Sequence, residues 1–250
     1  MNKILIVIPT YNEKQNVERL TARLLNMNAL IEVLVVDDNS PDGTGDLVEQ
    51  LSKKFSRIHL LRRAKKLGLG TAYIAGFQWA LARDYVYIFE MDADLSHRPR
   101  YIPKFLKALK EYDLVIGSRW IPGGKLANWP WRRVFLSRLA NIYSQFVLGV
   151  PIYDLTGGFI AYRRKVLETI GLDTIRCDGY SFQIEMKMRA LEQGYKLKEI
   201  PITFTDRKAG DSKISRRIVW EAFWLVLKIK FQSIFEPSRA LTPSPRELNN

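Results

Sequence analysis

Two carboxylates sit two residues apart in Glu90-Met91-Asp92-Ala93-Asp94, directly after the apolar run Tyr85-Val86-Tyr87-Ile88-Phe89. Such a run reads as a buried strand. Extended chain places residues i and i+2 on one side, so Asp92 and Asp94 aim at a common point beyond the strand end. Paired hard oxygen ligands suit Mg²⁺ or Mn²⁺, which take the rest of their shell from water and substrate phosphates. The competing reading is structural: Asp94 or Ser96 caps a helix that opens at Pro99.

Other groups have chemistry of their own. Arg133 and Ser137 lie one helical turn apart, and a guanidinium and a hydroxyl so placed could hold one phosphate. A solvated arginine face explains the same spacing equally well. Asp38 closes a second apolar run, Val33-Leu34-Val35-Val36, and acidic residues at strand ends commonly hold ribose or base edges. The charged stretch Asp206-Arg207-Lys208-Ala209-Gly210-Asp211-Ser212-Lys213 is either a solvated linker or a loop that closes over phosphates. No G-x-G-x-x-G follows the first strand and no G-x-x-x-x-G-K-[ST] occurs, which disfavours a dinucleotide fold and a P-loop. Gly68-Leu69-Gly70 reads as a helix-opening turn. His59 and His97 form no evident triad.

The elements that must position these groups alternate. Strands are expected at Ile4–Ile8, Val33–Val36, Ile58–Leu61, Tyr85–Phe89, Leu114–Arg119, Phe159–Tyr162 and Leu197–Phe204, the last an edge strand because of Pro201. Helices lie between them, one starting near Thr44 and another running from about Ser181 to Gln193. Alternation of this kind predicts an α/β fold with crossover connections and a mainly parallel sheet. Pro122-Gly123-Gly124 reads as a flexible joint. The helix after it is expected to bury Phe135, Leu136, Leu139, Ile142, Tyr143, Phe146 and Val147.

The final helix, about Ile214 to Phe235, is too charged to span a bilayer and too apolar for a free surface. It is expected in a membrane interface or against a small membrane-embedded partner, with packing into the protein's own core as the competing reading. The tail from Glu236 to Asn250 reads as disordered.

Composition bounds the partners. The 250 residues carry a net charge of +13, which implies anionic partners. One cysteine, Cys177, excludes an internal disulfide framework and fits a reducing compartment. There is no signal-peptide plan and no uncharged apolar run of about 18 residues. Nucleic acid is not expected, since neither a recognised motif nor a continuous basic helix is present.

Six stretches, in order, resemble the dolichyl- (polyprenyl-) phosphate mannosyltransferases. They are Pro9-Thr10-Tyr11-Asn12-Glu13, Val36 to Thr44, Lys66 to Tyr73, Met91 to His97, Asp154-Leu155-Thr156-Gly157-Gly158-Phe159, and Asp206-Arg207 with Ser212-Lys213. The resemblance covers residues 1 to about 217 and is to compact members of glycosyltransferase family 2 without spanning helices. It implies an inverting GT-A enzyme of Rossmann-like fold that moves mannose from GDP-mannose to a polyprenyl or dolichyl phosphate. It further implies a GT-A domain over residues 1–213, with a nucleotide and metal half to about 119 and an acceptor half beyond. Residues 214–235 would be an interfacial helix and 236–250 a tail. The enzyme would be cytoplasmic, peripheral on the cytoplasmic face of a membrane.

Carried over residue by residue, the resemblance has Pro9, Tyr11, Glu13, Val36 and Asp38 hold the guanosine. Asp92 and Asp94, with Ala93 alongside, form the metal and diphosphate site. Arg119, Arg207 and Lys213 contact donor phosphates or sugar, and Arg119, Arg133 and Ser137 receive the lipid phosphate. Ser96 stands where some relatives place a Gln that completes the metal shell. UDP-glucose is the rival donor. A phosphate acceptor has its second pKa near about 6 and needs no protein base at neutral pH.

Overall fold

The computed structural model describes residues 2–205 together with Trp224, Val226, Leu227 and Lys230. The first half of the chain builds β1 (Ile4–Thr10), α1 (Lys14–Leu25), β2 (Ile31–Asp37), α2 (Thr44–Lys54), β3 (Ile58–Arg62), α3 (Leu69–Leu81) and β4 (Tyr87–Glu90). Then follow α4 (Ile102–Ala108), β5 (Leu114–Ser118), β6 (Lys125–Ala127), α5 (Trp131–Leu148), β7 (Ile160–Arg163), α6 (Arg164–Thr169), α7 (Gly179–Glu192), β8 (Leu197–Pro201) and β9 (Thr203–Thr205).

Among the described residues, seven strands form one sheet in the order β3-β2-β1-β4-β7-β5-β8. All neighbours are parallel except β7, which runs antiparallel to both β4 and β5. The period of two divides the buried residues between the two faces. Leu5, Val7, Leu34 and Val36 pack with Tyr73 and Phe77 of α3 on one side. Ile4, Ile6, Ile8, Val33 and Val35 pack with Val17, Leu20 and Leu24 of α1 on the other. Helices therefore cover both faces, as near-continuous apolar strands require. Met186 and Met188 of α7 are buried core filling.

Three expectations need correction. The stretch from Leu197 to Phe204 is two strands, not one. β8 is the sheet edge and ends at Pro201, where a backbone donor is lost. Ile202 then donates to the Ser118 carbonyl and accepts from Lys125, and β9 leaves to pair with β6 in a separate ribbon. Nor is Pro122-Gly123-Gly124 a flexible joint. Gly124 donates to the Ile121 carbonyl in a turn so tight that a Cβ on it would meet the Arg119 carbonyl oxygen at 2.6 Å.

The third correction concerns α5, which turns most of its expected core residues outward. Its buried residues are Asn141, Ser144 and Leu148, while Phe135, Leu136, Leu139, Ile142 and Phe146 are exposed. Tyr143 and Val147, half-buried, do pack against the first core cluster as expected. A polar stripe through Asn141 and Ser144 turns inward with them, because Asn141 finds partners in the body of the protein.

Of the segment 214–235, the four described residues are helical. Val226 is 1% exposed within the first core cluster, whereas Trp224 is 64% exposed. The own-core reading is thus correct for Val226. The rest of that segment, the loop 206–213 with Arg207 and Lys213, and the tail 236–250 lie outside the described residues.

Candidate active site

The carboxyl ends of β1, β2 and β4 converge on one side of the sheet, where ligands collect in open α/β folds. At β1 and β2, the Asp38 amide donates to the Thr10 carbonyl. The Asp38 carboxylate is buried, paired with Arg63 and accepting from the Leu67 amide. These bonds draw residues 63–68 over the strand ends, and Lys66 Nζ lies 4.1 Å from the centre of the Tyr11 ring. The Glu13 amide donates to Thr44 Oγ1, and Glu13 Oε2 accepts from Asn16. Pro9 pairs with Val36 across the two strands. The Val36 side chain faces the core, so only its main chain can meet a ligand. Asn12 and Asn39 take positive φ, 62° and 56°, in the two loops. Asn is the residue type besides Gly that tolerates this. Gly68, with φ of 102°, opens α3 as the sequence predicts.

β4 delivers the carboxylate pair. Asp92 Oδ1 accepts from the Tyr73 hydroxyl at 3.3 Å, and the Asp92 amide donates to His97 Nδ1 at 3.0 Å. That bond fixes the proton of His97 on Nε2, 3.8 Å from Asp92 Oδ2. Burial holds the imidazole below its ordinary pKa, against the pull of Asp92 and Asp94. His97 stacks on Phe159, with ring centres 5.0 Å apart. Asp94 Oδ1 accepts from the Ser96 amide, with Leu95 between them at φ 63°. A leucine in that region is strained by about 1–2 kcal/mol.

The capping reading is overturned. The helical turn at Pro99 has Arg98 at its cap and no side-chain cap bond. Asp94 instead shapes its own tight turn.

Arg119 follows β5 and is 7% exposed. Its Nε and Nη2 donate to Asp154 Oδ2 and Oδ1 at 2.8 and 2.7 Å, and its amide donates to Oδ2. Burial alone would lower the arginine's pKa and raise the carboxyl's. The mutual charge reverses both, so the pair stays ionised. Removing either partner would strand a buried charge at about 3–5 kcal/mol.

Aromatic rings join these parts. The Phe204 ring lies 5.4 Å from His97, 5.6 Å from Trp129 and 5.5 Å from the Arg119 guanidinium carbon. Arg133 stacks on Trp129 at 3.8 Å, and Arg119 lies 5.9 Å from the same ring. Arg98 donates to Thr205 Oγ1 at 2.6 Å and holds β9 against the aspartate loop. The carboxylate loop, Arg119 and the Arg133 end of α5 therefore surround one place. Sequence reasoning named the first and the last two but missed the connectors. His97 and Asp154 lay inside motifs already singled out, and Trp129 in none of them. Phe204 carries no local signal, because its contacts depend on the chain leaving β8.

Comparison with known proteins decides the family. Residues 5–171 match the profile of Glycosyl transferase family 2. The chain belongs to this family. Polyprenol monophosphomannose synthase of Mycolicibacterium smegmatis is 48% identical over 226 residues, 90% of this chain and 85% of its own length. Undecaprenyl-phosphate mannosyltransferase of Micrococcus luteus is 44% identical over 238 residues, covering 95% of this chain and 98% of that one. Among solved structures, glucosyl-3-phosphoglycerate synthase of Mycobacterium tuberculosis, in complex with Mn²⁺, UDP and phosphoglyceric acid, has a TM-score of 0.66 at 16% identity. It covers 92% of this chain and 78% of its own, a likeness of fold. The protein is a glycosyltransferase with a GT-A-type α/β sheet.

A divalent cation fits the residues of this glycosyltransferase. Among the described residues there is no cluster of three or more His, Cys, Asp or Glu ligands, so the protein shell would be the Asp92 and Asp94 carboxylates. The Ser96 hydroxyl oxygen beside them is buried with no hydrogen-bond partner, a polar atom of the kind a hydrated ion satisfies.

Proposed function

We propose that the enzyme transfers mannose, with inversion, from GDP-mannose to a polyprenyl (dolichyl-type) phosphate. The reaction takes place at a membrane surface with Mg²⁺ or Mn²⁺ at Asp92 and Asp94. One observation carries this reading. Arg133 and Arg119 meet at Trp129 beside the carboxylate loop, and Arg133 lies on a helix whose far side is an exposed apolar stripe. A phosphate held there belongs to a molecule whose remainder is apolar. The names of the two mannosyltransferase relatives support both the sugar and the acceptor class.

Each group then has a task. Asp38, with Pro9, Tyr11, Glu13 and the Val36 main chain, lines the guanosine site, and Arg207 and Lys213 complete the donor contacts. Asp92 and Asp94 hold the cation, which when bound neutralises the diphosphate leaving group. Arg119, Arg133 and Ser137 bring the acceptor phosphate to the sugar against the repulsion of the donor phosphates. The acceptor is already a dianion at neutral pH, so no general base is required. That agrees with His97, whose Nδ1 is committed to the Asp92 amide. The net charge of +13 suits the anionic cytoplasmic leaflet. On this reading the protein is peripheral on that face. No helix among the described residues is long and apolar enough to cross a membrane.

Product analysis tests the reading. GDP-mannose and UDP-glucose are offered with short and long polyprenyl phosphates, with Mn²⁺, Mg²⁺ or a chelator. The expected product is β-mannosyl phosphoprenol from GDP-mannose alone, lost on chelation. A glucosylated product would overturn the donor, and undiminished turnover in chelator would overturn the metal.

A further inference from the structure

α5 carries Arg133 and Ser137 on a stretch that apolar packing does not anchor. Of its 18 residues only Asn141, Ser144 and Leu148 are buried, and Asn141 is the first of them. Residues 133, 137 and 141 recur at every fourth position and share one stripe. Besides the stacking of Arg133 on Trp129, the contacts that set the roll of this half of the helix are therefore polar. Asn141 Nδ2 donates to the Ser137 carbonyl at 2.8 Å and to Thr156 Oγ1 at 3.1 Å. Asn141 Oδ1 accepts from the amides of Leu155 and Thr156 at 2.8 and 3.3 Å. All four hydrogen-bonding positions of the amide are used.

The same Thr156 oxygen also accepts from Arg119 Nη2 at 2.9 Å. One hydroxyl thus joins the guanidinium at the end of β5 to the amide on α5. The loop that carries it is fixed from behind, since buried Lys187 Nζ donates to the carbonyls of Leu155 and Gly157 at 2.8 and 2.7 Å.

We propose that Asn141 and Thr156 form a positioning pair that sets the spacing between Arg119 and the Arg133–Ser137 stripe, the two halves of one phosphate site. The proposal rests on the acceptor assignment above. Hydrogen bonds at both the nitrogen and the oxygen of one amide fix rotation and translation of α5, where apolar contact would let the helix slide. Displacement of a reacting group by about 1 Å can cost on the order of 10²-fold in rate. The pair therefore acts on catalysis without touching substrate.

Thr156→Val removes the bridging oxygen at nearly constant volume, and Thr156→Ser keeps it. In the full chain, with GDP-mannose and a prenyl phosphate, Thr156→Val should raise the acceptor KM or lower kcat by about tenfold or more. The donor KM should stay unchanged, and Thr156→Ser should restore activity. Hydrogen exchange of residues 131–140 should accelerate in Thr156→Val, which reads the clamp independently of turnover. In an Arg133→Ala background the effect of Thr156→Val on the acceptor KM should shrink, because the charged group being positioned is gone. Unchanged exchange, equal losses for donor and acceptor, or additivity with Arg133→Ala would each overturn the clamp. If Arg133→Ala alone left the acceptor KM unchanged while exchange still rose, the acceptor assignment would fail, and the catalytic part of the proposal with it.

Discussion

At the scale of single residues, the site is supported by charges taken out of water. Arg119 and Asp154 stay ionised because they pair, and Lys187 lies fully buried behind them. Burial pushes Lys187 down to about 8 from an ordinary 10.5, against the attraction of Asp154 and Glu90 and with Arg119 adding repulsion. The sign follows from proton binding. Above pH 10.5 the lysine is neutral in both states, and the folded protein carries no penalty from it. As pH falls toward 8 the unfolded chain takes the proton first, so the folded state loses stability relative to it. Lys187→Met removes this titration. The stability of the unmodified protein minus that of Lys187→Met should therefore rise as the pH is raised from 8 to 10.5. Urea unfolding at several pH values checks this, and a flat difference would reject it.

At the scale of elements, α5 is the informative case. Its inward stripe is bonded to the loop at residues 155–156, and its outward stripe runs through Phe135, Leu139, Ile142 and Phe146. Phe146 is 86% exposed, so Phe146→Glu should change folding stability by no more than about 0.5 kcal/mol. If the stripe enters a bilayer, losing a phenyl side chain there removes about 1.5–3 kcal/mol, equivalent to tenfold or more in vesicle affinity. Co-sedimentation with anionic vesicles measures it. Equal binding by both proteins would show that this face does not meet the membrane.

At the scale of the whole molecule, a net charge of +13 and an apolar stripe would act together on a surface. Screening shortens the reach of charge from about 10 Å at 0.1 M salt to about 3 Å at 1 M. Binding to anionic vesicles should weaken sharply over that range. Binding to neutral vesicles, driven by the stripe, should change little. Salt-independent binding to anionic vesicles would remove electrostatics from the account. The segment 214–235 is a poor probe for such an experiment, because buried Val226 makes part of it core and its removal would disturb the fold.

The amino-acid sequence by itself determined what depends on neighbours along the chain. Unbroken apolar runs in β1 and β2 set two buried faces, and a strand followed by Asp92-Ala93-Asp94 set two carboxylates at its end. Helix starts at Thr44 and near Gly68 followed from local turn chemistry. What it left open was everything decided by partners far along the chain. A helical period shows that α5 has two faces but not which one turns inward. That depended on the amides of Leu155 and Thr156 being there to meet Asn141. The insertion of β7 between β4 and β5, and the departure of β9 to β6, are matters of strand pairing over long separations. They put Phe204 between His97, Arg119 and Trp129, and so made one site from the two halves of the chain. Hydrogen-bonding capacity and apolar periodicity are local properties, whereas the partner that satisfies them is chosen only when the chain closes on itself.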